Sequence, residues 1–189
     1  MIAAQWDAEK KSGFRLLLDN DGHLALEYSQ RPGSFQRVRI DRPLLERRWT
    51  RIVLIHEADS RRFRLRTAPY EAAAKPAMLV VNDAEFVSAA GGMTIAGCEE
   101  RKGGLGDHFD GKIEHPIVLR NMHAFASYDS LLLDRGAARE AADLIVWWDF
   151  TREIETTRVV DVGPNRCHGT LVNLPTRAMI GSNWTGEWH

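Results

Sequence analysis

The 189-residue sequence predicts an all-β fold, a β-sandwich with one short helix. Three stretches carry that expectation. Asp107 to Leu119 alternates so that Phe109, Ile113, Ile117 and Leu119 share one face of a strand, with Gly103-Gly104-Leu105-Gly106 leading in and Pro116 marking an edge or bulge. Phe14 to Leu26 reads as a hairpin, because Phe14, Leu16 and Leu18 recur at every second position and Asn20-Asp21-Gly22 supplies the positive φ of a tight reversal. Arg48 to His56 is a run of aliphatic and β-branched residues behind Trp49, the composition of a further strand.

In chain order, Ile2 to Trp6 comes first as a strand without a preceding turn or cap, which predicts a piece of a longer polypeptide. The hairpin follows, its return strand running from His23 to about Tyr28. Ser29 to Ser34 is a loop set by Pro32-Gly33, and Gln36 to Ile40 resumes alternation through Val38 and Ile40. After Pro43, Trp49 to His56 and Phe63 to Arg66 form two strands joined at Ala58-Asp59-Ser60. Ala68 to Ala77, rich in Ala between prolines, is an irregular excursion, and Met78 to Val81 and Met93 to Gly97 are short strands. Near 130–143 the period changes: Leu131, Leu132, Leu133, Ala137, Ala138, Ala141 and Ala142 interleave with Arg and Glu, predicting a short amphipathic helix weakened by Gly136. Leu144 to Phe150, β-branched and aromatic, is a core strand, and Val159 to Asn173 a hairpin about Gly163-Pro164-Asn165.

Composition narrows the function. Lys and Arg number 25 against 26 Asp and Glu, so no net field favours nucleic acid. The local run Arg61-Arg62-Phe63-Arg64-Leu65-Arg66 alternates with two apolar residues and reads as the polar face of a strand rather than a phosphate-binding patch. Two cysteines, Cys98 and Cys167, are too few for a disulfide framework. No basic n-region precedes an apolar core at the N-terminus, and no run approaches the roughly 18 apolar residues that span a bilayer. The expectation is a cytoplasmic chain without membrane or nucleic-acid partners.

Phe109-Asp110-Gly111-Lys112-Ile113-Glu114 resembles the closing strand of laminin-G-like domains, the concanavalin A-like jelly-roll group. Phe14 to Leu26 is similar to the hairpin of those domains, and Arg48 to His56 to the strand that packs an indole into their sandwich. The later segments Trp148-Asp149-Phe150-Thr151, Asp161-Val162-Gly163-Pro164-Asn165, His168-Gly169, Val172 to Met179 and Asn183-Trp184-Thr185-Gly186-Glu187 resemble the large subunit of N,N-dimethylformamidase. That resemblance implies a laminin-G-like sandwich over 1–175 and an extension over 176–189 leading towards a catalytic domain that this chain lacks. It implies a parent enzyme that hydrolyses dimethylformamide to dimethylamine and formate, using one iron held by two tyrosines and a glutamate in that catalytic domain, with a small subunit as partner. No residue here maps onto the iron ligands, and Tyr28, Tyr70 and Tyr128 fall in the sandwich portion.

Independently of that resemblance, several residue patterns bear on chemistry. His108, Asp110 and Glu114 share a face of the expected strand, with His115 on the other; three same-face residues would suit a mononuclear metal, but a solvent face opposite Phe109 and Ile113 is the simpler reading. His56 stands without a neighbouring ligand, and Cys167-His168 lacks zinc-finger spacing. Glu99-Glu100 and Glu153/Glu155 are formal acid/base pairs for glycoside hydrolysis that read more simply as surface charge. Asp19 with Asp21, or Asp161 with Asn165, offers calcium oxygens, yet turn formation explains both sets. No serine elbow or phosphate loop is present. Trp184 and Trp188 lie outside the expected core strands and would serve as a docking or ligand surface. The function expected is therefore a non-catalytic accessory domain, with no catalytic, cofactor or metal residues of its own, that packs on a catalytic domain, another subunit or itself. The alternative is a lectin-like carbohydrate-binding module.

Overall fold

A computed structural model describes residues 1–70, 74–100, 104–120, 143–177 and 181, and every regular element among them is a β-strand. The helix expected near 130–143 lies, apart from Asp143, outside the described residues, and none of the described residues is helical. The chain divides into two compact units, 1–111 and 112–189.

The first unit begins with four antiparallel strands in sequence: β1 (Ala3–Asp7), β2 (Ser12–Leu18), β3 (His23–Arg31) and β4 (Ser34–Pro43). The expected hairpin forms in the register its alternation demands, Phe14 opposite Tyr28, Leu16 opposite Leu26 and Leu18 opposite Leu24. At its tip Gly22 adopts φ 78° and its N–H donates to the Asp19 carbonyl at 3.0 Å, the left-handed step for which glycine carries no Cβ penalty. Two short strands, β5 (Thr50–Glu57) and β6 (Arg62–Pro69), start a second sheet that β7 (Ala77–Val81) completes. β8 (Thr94–Ile95) joins the outer side of β1, giving the order β4-β3-β2-β1-β8. β9 (Cys98–Glu99) and β10 (Leu105–Gly106) pair with each other.

Alternation places the core. Leu16, Leu24, Leu26, Tyr28 and Ile40 of the first sheet meet Phe63 and Leu65 of the second in one cluster, and the Tyr28 and Phe63 rings lie 4.8 Å apart. Leu24, Leu26 and Leu65 are essentially solvent-free. Each contributes about 1.5–3 kcal/mol of burial. The arginine run behaves as its alternation predicts: Phe63 and Leu65 are buried, and Arg62, Arg64 and Arg66 occupy the opposite face of β6.

Two expectations need correction. Asp107 to Leu119 is not one strand: β10 ends at Gly106, and only β11 (Ile117–Leu119), in the second unit, is extended. Asp107 at φ 51° and His115 at φ 50° turn the backbone, so the alternation between them lacks a straight chain to act on. Trp49 does not enter the core cluster; it is half-buried just before β5, where its carbonyl accepts Tyr70 N–H at 3.0 Å.

In the second unit β11, β12 (Leu144–Asp149), β13 (Arg158–Asp161) and β14 (Gly169–Thr170) follow in that order across one antiparallel sheet. Leu144 and Trp147 form its core with Ile117, Leu119 and Val162, as the composition of Leu144 to Phe150 predicts.

Candidate functional site

β3 is buried on both sides. Leu24, Leu26 and Tyr28 face the core, and Ala25, Glu27 and Ser29, on the opposite face, are buried as well. The cause lies in side-chain length across the sheet. β3 presents short residues in the middle, while β2 supplies Arg15 and Leu17 and β4 supplies Phe35, Arg37 and Arg39. The outer face is thus a trough running along β3.

Three rows cross it. In the first, Trp6 stands opposite Gly13 and Phe35 opposite Ser29, so two small residues let the outer rings meet edge to face at 6.3 Å. Gly13 is confined to glycine: at φ 106° an added Cβ would overlap the Gln5 carbonyl oxygen. In the second row Glu27 sits between Arg15 and Arg37. Arg15 Nη2 lies 2.5 Å from Glu27 Oε2, close but poorly aligned for a hydrogen bond, and Arg37 Nη1 lies 3.4 Å from Oε1. The Arg15 guanidinium also covers the Trp6 ring at 4.5 Å. In the third row Arg39 reaches Asp19 at 3.0 Å.

Cys98 lies beneath the first row with Ala4 and Trp6. Burial pushes its thiol up, more than the neighbouring Arg15 pulls it down, which leaves a protonated, unreactive sulfur at neutral pH. Two adjoining cavities of about 350 and 510 Å³ open over the trough and share Arg15 and Asp107. Glu99, Glu100 and Lys11 line the first, and His108 and Asp21 the second. Ring edges beside carboxylates and cations suit a polar ligand with an apolar face; among the described residues that line the trough no nucleophile stands beside a base.

The residues singled out in sequence scatter differently. His108 lines the trough, whereas His115 pairs with Glu114 at 3.0 Å and meets the Trp147 ring edge-on in the second unit. With the strand broken, His108, Asp110 and Glu114 share no pleat face, and among the described residues no three His, Cys, Asp or Glu side chains converge as metal ligands would. Asp19 caps the hairpin turn, accepting from Asp21 N–H at 3.0 Å and His23 N–H at 2.9 Å; the His23 bond foremost holds its carboxyl below the usual range. Glu99 and Glu100 line the trough, and Glu153 and Glu155 are exposed on a turn. His56 stacks on Phe63 at 4.6 Å. Trp184 and Trp188 lie outside the described residues.

The motif segments of the second unit form a turn. Asp161, fully buried, accepts Trp147 N–H at 2.9 Å and Gly163 N–H at 2.8 Å on Oδ1, and Cys167 N–H at 2.7 Å on Oδ2. His168 Nδ1 accepts Asp161 N–H at 3.0 Å, which leaves the neutral ring's proton on Nε2. Asn165 Nδ2 donates to the Ile145 carbonyl at 2.8 Å and Trp148 Nε1 to the Cys167 carbonyl at 2.9 Å. Arg177 donates to four carbonyls, those of Arg152, Glu153, Thr156 and Arg158.

The iron set implied by the family resemblance does not fit these residues. Tyr28 is in the core of one sheet, its phenol pushed up by burial, while Tyr70 follows β6 of the other sheet beneath Arg51. Two phenolates and a carboxylate therefore do not meet among the described residues.

The described residues are thus all-β, with a trough on the outer face of the first unit and, within the second, a hydrogen-bonded turn built from the chain's most distinctive motif. No family model matches the sequence. The chain is similar to the N,N-dimethylformamidase beta subunit of Alcaligenes sp, 26% identical over 208 aligned residues, and to that of Paracoccus aminophilus, 25% identical over 208. Both alignments cover 98% of this chain, which spans about a quarter, 27%, of each relative's length. The sequence expectation of a large subunit is corrected here: both relatives bear the name beta subunit.

Proposed function

We propose that this chain is a non-catalytic accessory region of a dimethylformamidase-like amidohydrolase, a jelly-roll β-sandwich of the concanavalin A-like kind that packs against a catalytic domain or another subunit. The observation that carries this reading is the use made of the motif that resembles dimethylformamidase. Asp161 and Arg177 spend their polar atoms on backbone partners, as do Asn165 Nδ2 and His168 Nδ1, so among the described residues the motif serves chiefly to shape a turn. Iron and amide hydrolysis then belong to parts of the enzyme outside this chain. The test is an assay of the purified chain on N,N-dimethylformamide, with and without added iron salts. No release of dimethylamine is expected, and turnover by the chain alone would overturn the reading.

The trough favours a second reading, lectin-like carbohydrate binding. Phe35 is 44% exposed at its rim, beside Arg15, Glu99, Glu100 and Asp107. Sugar rings stack an apolar face on such a side chain and bond their hydroxyls to carboxylates and guanidinium. On a glycan array this reading expects retention that Phe35→Ala abolishes; an array without binders removes it.

A further inference from the structure

β5 is the edge of its sheet in the order β5-β6-β7, and among the described residues no strand pairs with its far side. An unpaired edge invites another strand, and natural sheets blunt such edges with charge, proline or bulges. β4, the edge of the other sheet, is blunted in this way: its pairing with β3 shifts register twice, and it carries Arg37, Arg39, Arg42 and Pro43. β5 has neither proline nor bulge, and its charges, Arg51 and Glu57, stand towards its two ends. It pairs with β6 over eight consecutive residues without a shift, and its centre is Ile52-Val53-Leu54-Ile55.

The direction of the free backbone groups follows from the ladder. Trp49 and Tyr70 form a hydrogen-bonded pair, so Arg51, Val53, Ile55 and Glu57 turn their N–H and C=O groups towards β6. Pro69, which has no N–H, stands opposite Thr50 at a position where the ladder needs no donor. Thr50, Ile52, Leu54 and His56 therefore direct their backbone groups outward.

We propose that β5 pairs antiparallel with β5 of a second copy of this chain, about a two-fold axis at Leu54. Outward residues must face outward residues for the bonds to form, which restricts the axis to a residue rather than a gap between two. With the axis at Leu54, Leu54 meets its own copy and Ile52 meets His56, both as hydrogen-bonded pairs. Val53 meets Ile55, and Arg51 meets Glu57, at the non-hydrogen-bonded positions where side chains approach most closely. Both ends of the pairing then carry opposite charges. An axis at Val53 would set Arg51 against Ile55, and one at Ile55 would set Glu57 against Val53.

Arg51 is prepared for such a partner. It has no ion pair among the described residues, its Nε is buried without an acceptor, and its guanidinium carbon lies over the Tyr70 ring, 4.1 Å from the ring centre. Glu57 is fixed by Arg64 at 2.9 Å and by the Ser60 hydroxyl at 2.9 Å. The isologous contact closes after two copies and buries both free edges.

The experiment is sedimentation velocity on the 189-residue chain over a concentration series, with far-UV circular dichroism to verify folding. A dimer is expected. Arg51→Glu places Glu against Glu twice and should raise the dissociation constant by about tenfold or more. The double exchange Arg51→Glu with Glu57→Arg should restore the dimer. A chain that stays monomeric, a dimer indifferent to Arg51→Glu, or a double exchange that fails to restore it would each overturn the pairing. Mass reports on this inference and the amidase assay on the accessory role, so either can fail alone.

Discussion

In the second unit the carboxylate of Asp161 meets three backbone N–H groups at 2.7–2.9 Å, whereas on the outer face of the first unit Glu27 meets two guanidiniums and Arg15 Nε is left without an acceptor. Both carboxylates are buried, but only the first is fully used by its own turn. A buried acid answered by backbone donors fixes a chain path; one answered by mobile side chains lines a surface and leaves capacity for a ligand. The difference also separates distinctiveness from chemistry. The string of residues singled out in sequence for its resemblance to N,N-dimethylformamidase marks the closed cluster, whereas the open one was not singled out.

The sharpest test of that contrast is Asp161→Ala. It strands the buried N–H groups of Trp147 and Gly163 and the part-buried one of Cys167, and stranding a buried donor costs about 1–3 kcal/mol. A loss on the order of 3–5 kcal/mol in urea denaturation is expected, enough to unfold the second unit of a marginal protein. Asp161→Asn keeps one acceptor oxygen and should lose roughly half as much. Equal, small losses from both substitutions would show that the turn does not depend on this carboxylate.

Glu27→Gln should cost less, on the order of 1–2 kcal/mol, because the Arg15 and Arg37 side chains are partly hydrated and can re-solvate. The same denaturation series checks it. A loss as large as that of Asp161→Ala would mean that the trough is as closed as the turn, and the comparison between the two would fail.

How far these clusters can be read from sequence follows from the range of the interactions. The hairpin about Asn20-Asp21-Gly22 is local, and its register, once the turn is set, follows from alternation alone. The Phe63 and Leu65 burial was legible for the same reason. Asp107 to Leu119 misled because alternation says nothing about φ, and Asp107 and His115 leave the extended region. The trough was hidden because its rows join residues from four strands, and only the pairing brings Trp6, Gly13, Ser29 and Phe35 into line. The lone signal was short residues at Ala25 and Ser29 between strands carrying Arg15, Phe35 and Arg37. For Asp161 the motif was visible, but three partners spread between Trp147 and Cys167 were not.

A third group tests whether ring contacts, rather than charge, set behaviour near neutral pH. His56 is packed on Phe63 at 4.6 Å and edge-on to Phe86 at 4.9 Å, and burial lowers the pKa of its imidazole. The folded value is thus below the unfolded one, about 6.5. Between the two the unfolded chain binds the proton and the folded chain does not, so stability falls as pH falls. Its contribution is complete above about pH 6.5 and is lost as pH drops through the folded value. The urea midpoint should decline gently from pH 7.5 to 5, the smallest of the three effects, since His56 is exposed at the sheet edge despite its ring contacts. His56→Phe keeps the ring stack and removes the proton, so the decline should flatten over that range. If the two proteins lose stability in parallel, the titrating group lies elsewhere, and the stack contributes packing without pH sensitivity.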